Sequence, residues 1–260
     1  MNRILFEPGE IVDGAVAFGG ARAAHVAEVL HGEPGQILKT GVIGGPVGTS
    51  EILSVERTAT DGTGVDGDEA APGWRVSARC RHGETPPAPW IDLVLAPPRP
   101  RALKRLLPQL AALGVGRIVL VGAEKVEKAF WGAQLLKEAV YRPLLVEGLM
   151  QAGTTALPEI RAERNFARWA RARLADEFAG APKFVAHPYG AGGAPDGFPC
   201  APAGARPVVA IGPEGGWTDG EVGTLERLGF RRISLGRRIL RTDTATVALL
   251  AQLMERYDNR

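Results

Sequence analysis

Two stretches near the C-terminal end hold the residue types best suited to binding a small polar ligand. They are residues 207–217, which contain Gly212-Pro213-Glu214-Gly215-Gly216, and residues 233–245, which end in Leu240-Arg241-Thr242-Asp243-Thr244-Ala245. Each begins with a short apolar run that predicts a strand and passes through a glycine-bearing loop toward a helix. Because glycine has no Cβ, a ligand can approach such a loop closely, and its free amides attract polar groups. The pattern predicts a small-ligand site.

The first loop differs from the common phosphate-binding motifs. Its five residues are not GxGxxG, and no Walker loop is present in the sequence. The next residues, Thr218 and Glu221, fit a capping box, in which the threonine accepts a hydrogen bond from a free amide and the glutamate reaches back. A helix is therefore predicted from residue 218, and Thr242 or Asp243 is placed to cap a last helix.

The cysteines and histidines do not show the spacing of a metal site. Cys80 and Cys200 lie far apart, and none of the four histidines, His25, His31, His82 and His187, has an HExxH-like spacing. We expect unpaired thiols of a reducing compartment and no bound metal.

Composition and hydropathy indicate an ordinary globular protein. The hydrophobic fraction is 45% and the charged fraction is 23%, which are typical values. No run approaches the roughly 20 apolar residues that span a bilayer, and the first residues lack the apolar core of a signal peptide. We therefore expect a cytoplasmic protein that does not use a membrane.

The net charge of +2 is small, but the basic residues are clustered. Residues 93–123 contain no acid and carry Arg99, Arg101, Lys104, Arg105 and Arg117. Residues 231–241 also contain no acid, and five of these eleven residues are arginine. Such segments suit a polyanion. They are equally consistent with solvated loops and strand ends.

A further basic row recurs at helical spacing at Arg161, Arg164, Arg168 and Arg171. The intervals of three, four and three residues predict one stripe on a helix. The stripe is consistent with a phosphate track and also with an ordinary solvated helix face.

The surrounding elements divide the chain into two parts. Residues 1–82 contain short β-branched segments bounded by glycine or proline, which predict a small barrel-like β domain with one helix over residues 21–31. After a proline-rich linker, residues 90–260 alternate strands with helices, which predicts an α/β domain with a mostly parallel sheet. Helices are predicted in this second part over residues 101–113, 125–136, 138–150 and 165–178. Surface loops are predicted over residues 58–73 in the first part and 189–204 in the second.

The two loops together resemble the paired signatures of the RsmE-type 16S rRNA uridine-N3 methyltransferases, a family of the SPOUT class. The first is Ile211-Gly-Pro-Glu-Gly-Gly-Trp-Thr-Asp-Gly-Glu-Val222, and the second is Leu235-Gly-Arg-Arg-Ile-Leu-Arg-Thr-Asp-Thr-Ala245. The resemblance extends over most of the chain, with Arg3-Ile-Leu-Phe6, His25-Val-Ala-Glu-Val-Leu30, Leu113-Gly-Val115 and His187-Pro188 in the expected order.

The resemblance implies an N-terminal PUA-like RNA-binding β-barrel domain over residues 1–82 and a SPOUT α/β methyltransferase domain over residues 90–260. The last segment of the SPOUT domain would be threaded into a deep trefoil knot. General connection rules disfavour knots, so this expectation follows from the resemblance alone. The resemblance further implies a homodimer that binds S-adenosyl-L-methionine and methylates 16S rRNA of the small ribosomal subunit.

Functional residues follow from the same resemblance, position by position. The cofactor-binding residues would be Ala186, His187, Gly212, Pro213, Glu214, Gly215, Gly216, Leu235, Gly236, Ile239, Leu240, Thr244 and Ala245. Arg241 would stabilise the negative charge that builds on the carbonyl oxygens beside N3, since arginine stays charged at working pH. Its other possible role is an ion pair with Asp243 or Glu214. Glu214 would either accept the imide proton or order its loop.

The RNA-facing positions match the family less well than the cofactor loops do. Phosphate contacts are expected from Arg3, Arg99, Arg101 and Lys104. The family often has a lysine early in the helix that follows the first strand of the α/β domain, and this chain has Ala102 at that position. Where the family usually has the sequence Glu-Gln-Ser, this chain has Met150-Gln151-Ala152. Methylation of another RNA and a catalytically silent RNA-binding protein therefore stay open as alternatives.

Overall fold

The computed structural model describes residues 2–58, 73–188 and 206–257. Its contacts divide the chain into two compact units, Met1–Pro87 with Leu149–Ala156, and Ala88–Gly148 with Leu157–Arg260. The loops predicted at residues 58–73 and 189–204 fall almost wholly outside the described residues, as does Cys200.

The first unit is built on a five-stranded sheet in the order β1-β3-β4-β5-β2. Strands β1 and β3 pair in parallel, and the remaining neighbours pair antiparallel. Among the described residues the sheet is open, with β1 and β2 at its edges, so it forms half of a barrel where a closed one was expected. The strands are β1 Ile4–Phe6, β2 Ala15–Phe18, β3 Ile37–Val42, β4 Val47–Thr58 and β5 Gly73–Glu84.

One face of this sheet carries the core of the unit. Strand β2 alternates exposed and buried residues, as a half-buried strand does. A short α-helix, α1 Gly20–Ala24, continues as a π-helical turn over His25–Val29 and contributes Ala23 and Val26 to the core. The helix predicted over residues 21–31 is therefore present, but it ends before His31, where φ is +47°.

Arg3 is used inside this unit. Its Nε donates to the carbonyl oxygen of Gly153 at 2.9 Å, and its Nη1 donates to those of Thr40 and Gly48 at 2.6 and 3.0 Å. Arginine can satisfy several carbonyls at once because its donors have a fixed fork geometry. The guanidinium thus joins two strands to the segment Leu149–Ala156, and this contact accounts for its burial without RNA.

The second unit contains a six-stranded parallel sheet in the order β11-β9-β10-β6-β7-β8. The predicted parallel α/β arrangement is confirmed. Strand β10 is fully buried between β9 and β6. The strands are β6 Ile91–Leu95, β7 Val115–Val121, β8 Glu159–Glu163, β9 Lys183–Ala186, β10 Val208–Ile211 and β11 Arg231–Ile233.

The helices of the second unit follow the predicted order with one exception. Residues 125–136 form two 3₁₀ turns, Lys128–Gly132 and Gln134–Leu136, where one helix was predicted. Gly132 disfavours a continuous helix, because glycine costs about 1 kcal/mol in a helix interior. The α-helices are α2 Pro100–Ala112, α3 Glu138–Ala152, α4 Phe166–Trp169, α5 Ala175–Glu177, α6 Asp219–Arg227 and α7 Thr242–Tyr257, with a π-helical turn Ala170–Leu174 between α4 and α5.

Charged side chains near the amino edge of the parallel sheet are paired. Asp92 lies against Arg206 and Arg117, and Glu177 accepts hydrogen bonds from Arg117 and Arg161. Burial tends to raise the pKa of Glu177, but hydrogen bonds from Arg161, Arg117 and Trp169 outweigh it, so the pKa of this carboxyl is lowered. Arg161 lies in β8 and Arg164 lies between β8 and the cap of α4, so the predicted four-arginine helical stripe is wrong at both positions.

No helix in the described part of the chain is long and apolar enough to cross a bilayer.

A glycine lets α3 approach α2 closely. A Cβ at Gly148 would stand 2.0 Å from the carbonyl oxygen of Pro108. Gly148→Ala is therefore expected to lower the free energy of unfolding by about 1–3 kcal/mol, as overpacking substitutions do. Urea denaturation followed by circular dichroism measures the change. The matched control is Gly220→Ala in α6, where a Cβ meets nothing within 4 Å. Equal midpoints for the two variants would contradict the close approach.

Candidate active site

Three loops that carry predicted functional residues leave the same edge of the parallel sheet. Strand β10 ends at Ile211 and leads into Gly212, the neighbouring β9 ends at Ala186 and leads into His187, and β11 ends at Ile233. In open parallel sheets ligands bind outside the carboxyl ends of the strands. The strand order therefore brings together loops that are separated in sequence.

A cavity of about 300 Å³ lies between these loops. Of the thirteen predicted cofactor-binding residues, twelve line it and Thr244 does not. The twelve are Ala186, His187, Gly212, Pro213, Glu214, Gly215, Gly216, Leu235, Gly236, Ile239, Leu240 and Ala245. Their binding of a cofactor stays a prediction, but the structure places them around one space.

The cavity is also lined by residues that were not predicted to bind the cofactor, namely Pro188, Ile211, Trp217, Ile233, Ser234, Arg238, Thr242 and Leu249. Trp217 is 3% exposed, although it directly follows the glycine loop. Leu249 lies four residues after Ala245 in α7 and thus on the same helix face. Their positions follow from the predicted loop and helix, but their orientation toward the cavity does not follow from residue type alone.

Two buried polar atoms at the cavity have no hydrogen-bond partner among the described residues. They are Nδ1 of His187 and Nε1 of Trp217. A buried polar atom without a partner costs free energy, but both nitrogens are closed off from solvent, so a ligand in the cavity does not reach them as the side chains stand. The lining that a ligand meets combines apolar walls with the backbone of the glycine loop, which suits a ligand with apolar and polar parts.

The glycine loop is held from several sides. Oε1 of Glu214 accepts the backbone N–H of Arg99 at 2.9 Å, and Nζ of Lys125 donates to the carbonyl oxygen of Gly215 at 2.9 Å. Oγ1 of Thr242, at the start of α7, donates to the carbonyl oxygen of Gly212 at 3.4 Å. The hydroxyl of Thr242 thus links the two predicted loops directly.

The predicted capping box of α6 is confirmed. Thr218 accepts from the backbone N–H of Glu221, and the Glu221 carboxylate accepts from that of Thr218 at 2.9 Å. The other oxygen of Glu221 accepts the backbone N–H of Glu124 at 2.8 Å. The same side chain therefore starts the helix and fixes the loop after β7.

His187 is predominantly neutral at pH 7. Burial lowers its pKa below the ordinary value of 6.5, and the positive charge of Arg232 lowers it further, against smaller opposite effects of Asp219 and Glu226. A neutral imidazole can donate from one ring nitrogen and accept at the other. The ring therefore adds no positive charge to the cavity.

A second cavity, of about 540 Å³, adjoins the first. The two share Glu214, Ile239, Leu240 and Thr242 as lining residues. Four arginines line the second cavity, namely Arg99, Arg101, Arg105 and Arg241. We call it the arginine cavity. Positive charge concentrated there favours an anionic ligand.

Arg241 has neither of the ion pairs that would have given it a purely structural role. Asp243 pairs with Arg105 at 3.3 Å, and Glu214 accepts from the backbone of Arg99. Arg241 is exposed, and within the described ranges its guanidinium has no ion pair. Its charge is therefore available to a ligand in the arginine cavity.

The four predicted RNA-contacting residues do not come together. Arg99 and Arg101 line the arginine cavity, whereas Lys104 is exposed on α2 and lines neither cavity. Arg3 belongs to the other unit and binds carbonyl oxygens there. No group of three or more histidine, cysteine, aspartate or glutamate residues in the described part of the chain could hold a metal ion.

The lowered pKa of His187 predicts the direction in which the stability of the protein changes with pH. The pKa of His187 is lower in the folded protein than in the unfolded chain. As the pH falls, the unfolded chain therefore binds a proton at this imidazole first. The stability that the neutral ring contributes is present above pH 6.5 and is lost as the pH falls through 6.5 toward the folded pKa. NMR titration of the ring protons measures the folded value directly.

The cause of the shift is tested by substitution. Arg232→Gln should raise the pKa of His187, because it removes a positive charge and frees the negative charge of Glu226. Arg231→Gln is the control, since Arg231 is exposed and is not among the causes of the shift. A His187 pKa at or above 6.5 in the unaltered protein would show that the ring is not desolvated.

Comparisons with known proteins agree with this arrangement. A family model described as an RNA methyltransferase domain matches residues 85–254. The chain is 31% identical over 260 residues to the ribosomal RNA small subunit methyltransferase E of Treponema pallidum, an alignment that covers 98% of this chain and 91% of that protein.

Solved structures show the same fold. The chain superimposes with a TM-score of 0.71 on a Legionella pneumophila protein solved with its bound cofactor SAM, at 22% identity over 98% of this chain and 97% of that one. The ribosomal RNA small subunit methyltransferase E of Neisseria gonorrhoeae, solved with S-adenosyl methionine, gives a TM-score of 0.71 at 20% identity and the same coverage. The family model and the full-length Treponema relative together show that the chain belongs to the RNA methyltransferase family that includes the ribosomal RNA small subunit methyltransferases E.

Proposed function

We propose that the protein transfers a methyl group from S-adenosyl-L-methionine to N3 of a uridine in 16S ribosomal RNA. The observation that carries this proposal is the pair of adjoining cavities that share Glu214, Ile239, Leu240 and Thr242. One has walls formed by the two glycine-bearing loops, and the other is lined by four arginines. A methyl donor and an anionic substrate have to meet at such a boundary.

The first cavity suits the methyl donor. When bound, S-adenosylmethionine supplies an electrophilic methyl group on a sulfonium sulfur. The residues predicted to hold it are the two glycine-bearing loops, with Ala186 and His187 at the end of β9 and Thr244 and Ala245 in α7. The backbone of the glycine loop lines this cavity and is available to polar groups of the cofactor. The neutral state of His187 also avoids repulsion of a cationic sulfonium.

The arginine cavity suits the RNA nucleotide. N3 loses its proton before it bonds to the methyl carbon, and the resulting negative charge is shared with the flanking carbonyl oxygens. This charge is neutralised when the nitrogen–carbon bond forms and the carbon–sulfur bond breaks, which releases a neutral thioether. We assign Arg241 to stabilise that charge, because its guanidinium is exposed in this cavity and stays protonated. Arg99 and Arg101 would bind phosphates beside the extruded base.

Glu214 faces both cavities. One of its oxygens already accepts the Arg99 N–H, which supports a role in ordering the loop. We propose that its other oxygen accepts the imide proton, directly or through water. Lys104 remains a proposed phosphate contact outside the cavity.

At the level of domains, we propose that residues 1–82 form a PUA-like RNA-binding domain and residues 90–260 a SPOUT domain with a deep trefoil knot. The five-stranded half-barrel supports the first assignment. The second is supported by the meeting of the two loops at one cavity and by the hydrogen bond from Thr242 to Gly212.

We also propose a cytoplasmic homodimer, on the resemblance to the family. The apolar side chains of Leu249, Leu250 and Leu253 in α7 are buried within the chain itself. The subunit contact therefore has to use other faces. Size-exclusion chromatography with light scattering distinguishes a dimer from a monomer.

Another RNA target is the alternative that a specific observation favours. Ala102, which replaces the common family lysine, lines the arginine cavity. A charge is thus missing where the substrate would bind, although Arg101 and Arg105 lie beside it. A catalytically silent RNA-binding protein is the remaining alternative, and absence of S-adenosylmethionine binding in calorimetry would favour it.

Deletion of the gene should abolish 3-methyluridine in small-subunit rRNA. Nucleoside mass spectrometry of the purified rRNA measures this modification, and a plasmid copy of the gene should restore it. Loss of a methyl group from a different nucleotide or a different RNA would support the alternative target. An unchanged set of modified nucleosides would argue for the silent protein.

Arg241→Gln should reduce the methyl-transfer rate by about 10²-fold or more, as loss of a transition-state donor does, while leaving cofactor affinity unchanged. Single-turnover kinetics and calorimetry measure the two quantities. Arg237→Gln is the control, because Arg237 is exposed in the same loop but lines neither cavity. Equal rates for the two variants would remove Arg241 from the mechanism.

A further inference from the structure

Basic side chains of the second unit differ in pairing between the two edges of the parallel sheet. Near the amino edge, Arg117 and Arg206 lie against the carboxylates of Asp92 and Glu177. Arg105 and Arg173, which follow the carboxyl ends of β6 and β8, have ion pairs, but four other arginines that follow these ends are different. Arg99, Arg101, Arg164 and Arg168 are exposed, and none has an ion pair within the described ranges.

The backbone fixes Arg164 at the carboxyl edge. It directly follows β8, and the N–H of Phe166 donates to the carbonyl oxygen of Gly122, the first residue after β7. A Cβ at Gly122 would stand 2.0 Å from the carbonyl oxygen of Arg164. Arg168 lies one turn further along, in α4, and is also exposed.

Nearby acids do not neutralise these two arginines. Glu163, which precedes Arg164, is paired with Arg161 at 3.1 Å and with Arg173 at 3.0 Å. Glu177 is engaged by Arg117 and Arg161. Both of these carboxylates therefore serve other arginines.

The local structure gains nothing from this charge. Arg168 is the third residue of a helix that begins after the cap Asn165, and its first turn contains no acid. The partial positive charge of a helix N-terminus disfavours a cation there. Arg164 precedes the cap of this helix and is not part of it, so its charge lies on the same N-terminal side. An anion bound by Arg168 would offset this unfavourable placement of charge.

We propose that Arg164 and Arg168 bind a phosphate of the substrate RNA and form a second contact beside the arginine cavity. The assignment rests on the proposed function, since it presumes an RNA substrate. Strand β8 is two strands from β6, which corresponds to about 10 Å along the sheet edge. One RNA strand of a few nucleotides can span that distance while a neighbouring base enters the arginine cavity.

The intervening loop separates the two contacts. Lys125 and Lys128 follow β7, but Glu124 and Glu127 lie among them and balance their charge. Nζ of Lys125 is also hydrogen-bonded to the Gly215 carbonyl. We therefore assign two distinct phosphate contacts at the ends of β6 and β8, and not a continuous basic strip.

The double variant R164Q/R168Q tests the assignment in the full-length protein without cofactor. Filter binding with a radiolabelled 16S rRNA transcript, from about 50 to about 200 mM salt, gives affinity and its salt dependence. We expect affinity about tenfold weaker at the lower salt. The slope of log K against log salt should be smaller in magnitude by about 1.4–1.8, the value for two lost phosphate contacts.

The matched control is R227Q/R231Q, which removes the same charge. Arg227 ends α6 and Arg231 begins β11, so both exposed residues lie near the amino edge. This control should keep the wild-type affinity and slope. Because R164Q/R168Q removes repulsion, its melting temperature should equal or exceed that of the wild type.

Two outcomes would overturn the assignment. One is an unchanged slope in R164Q/R168Q, and the other is an equal loss of affinity in the control. Failure of the proposed methylation is scored separately, by nucleoside mass spectrometry, because the filter-binding measurement needs no methyl transfer. An enzyme that methylates 16S rRNA normally but shows no altered slope in R164Q/R168Q would refute this contact alone.

Discussion

The site depends on the burial of β10 at the centre of a fully parallel sheet. Its four residues are at most 2% exposed, and it pairs with β9 on one side and β6 on the other. Since all strands point the same way, the loops after β6, β9, β10 and β11 leave from one edge. The glycine loop, His187 and Arg99 are therefore neighbours although more than a hundred residues separate the outermost of them in sequence.

The common strand direction also places two groups of charged side chains at opposite edges of the sheet, one that stabilises the fold and one that is free to bind a ligand. Near the amino edge, buried Asp92 and Glu177 are surrounded by arginines, and removing one partner would leave an unpaired charge at low exposure. At the carboxyl edge Arg101 and Arg241 are left without carboxylate partners among the described residues. An edge with unpaired arginines can bind a polyanion without first breaking internal ion pairs, so the binding surface does not compete with the stability of the sheet.

Patterns that depend on local chemistry were predictable from the sequence, whereas patterns that depend on packing were not. The capping box of Thr218 and Glu221 needs only neighbouring residues, and it was predicted correctly. Arg161 fitted a helical spacing but lies in β8, because the pairing of β8 with β7 overrides the period of four arginines. Twelve of the residues that line the first cavity followed from the resemblance to a family. The unpaired nitrogens of His187 and Trp217 depend on tertiary burial, which no spacing reveals.

The wall between the two cavities is where binding and chemistry meet. Ile239 is 89% exposed and Leu240 is 38% exposed, yet both line the two cavities. Their loop is turned by Gly236, with φ at +105°, and is anchored at its end by Thr242, which is 6% exposed and donates to Gly212. Thr246 in turn donates to the Thr242 carbonyl at 2.6 Å within α7. The position of the shared wall is therefore set by the first turn of α7, so the geometry of both cavities depends on the packing of that helix against the sheet.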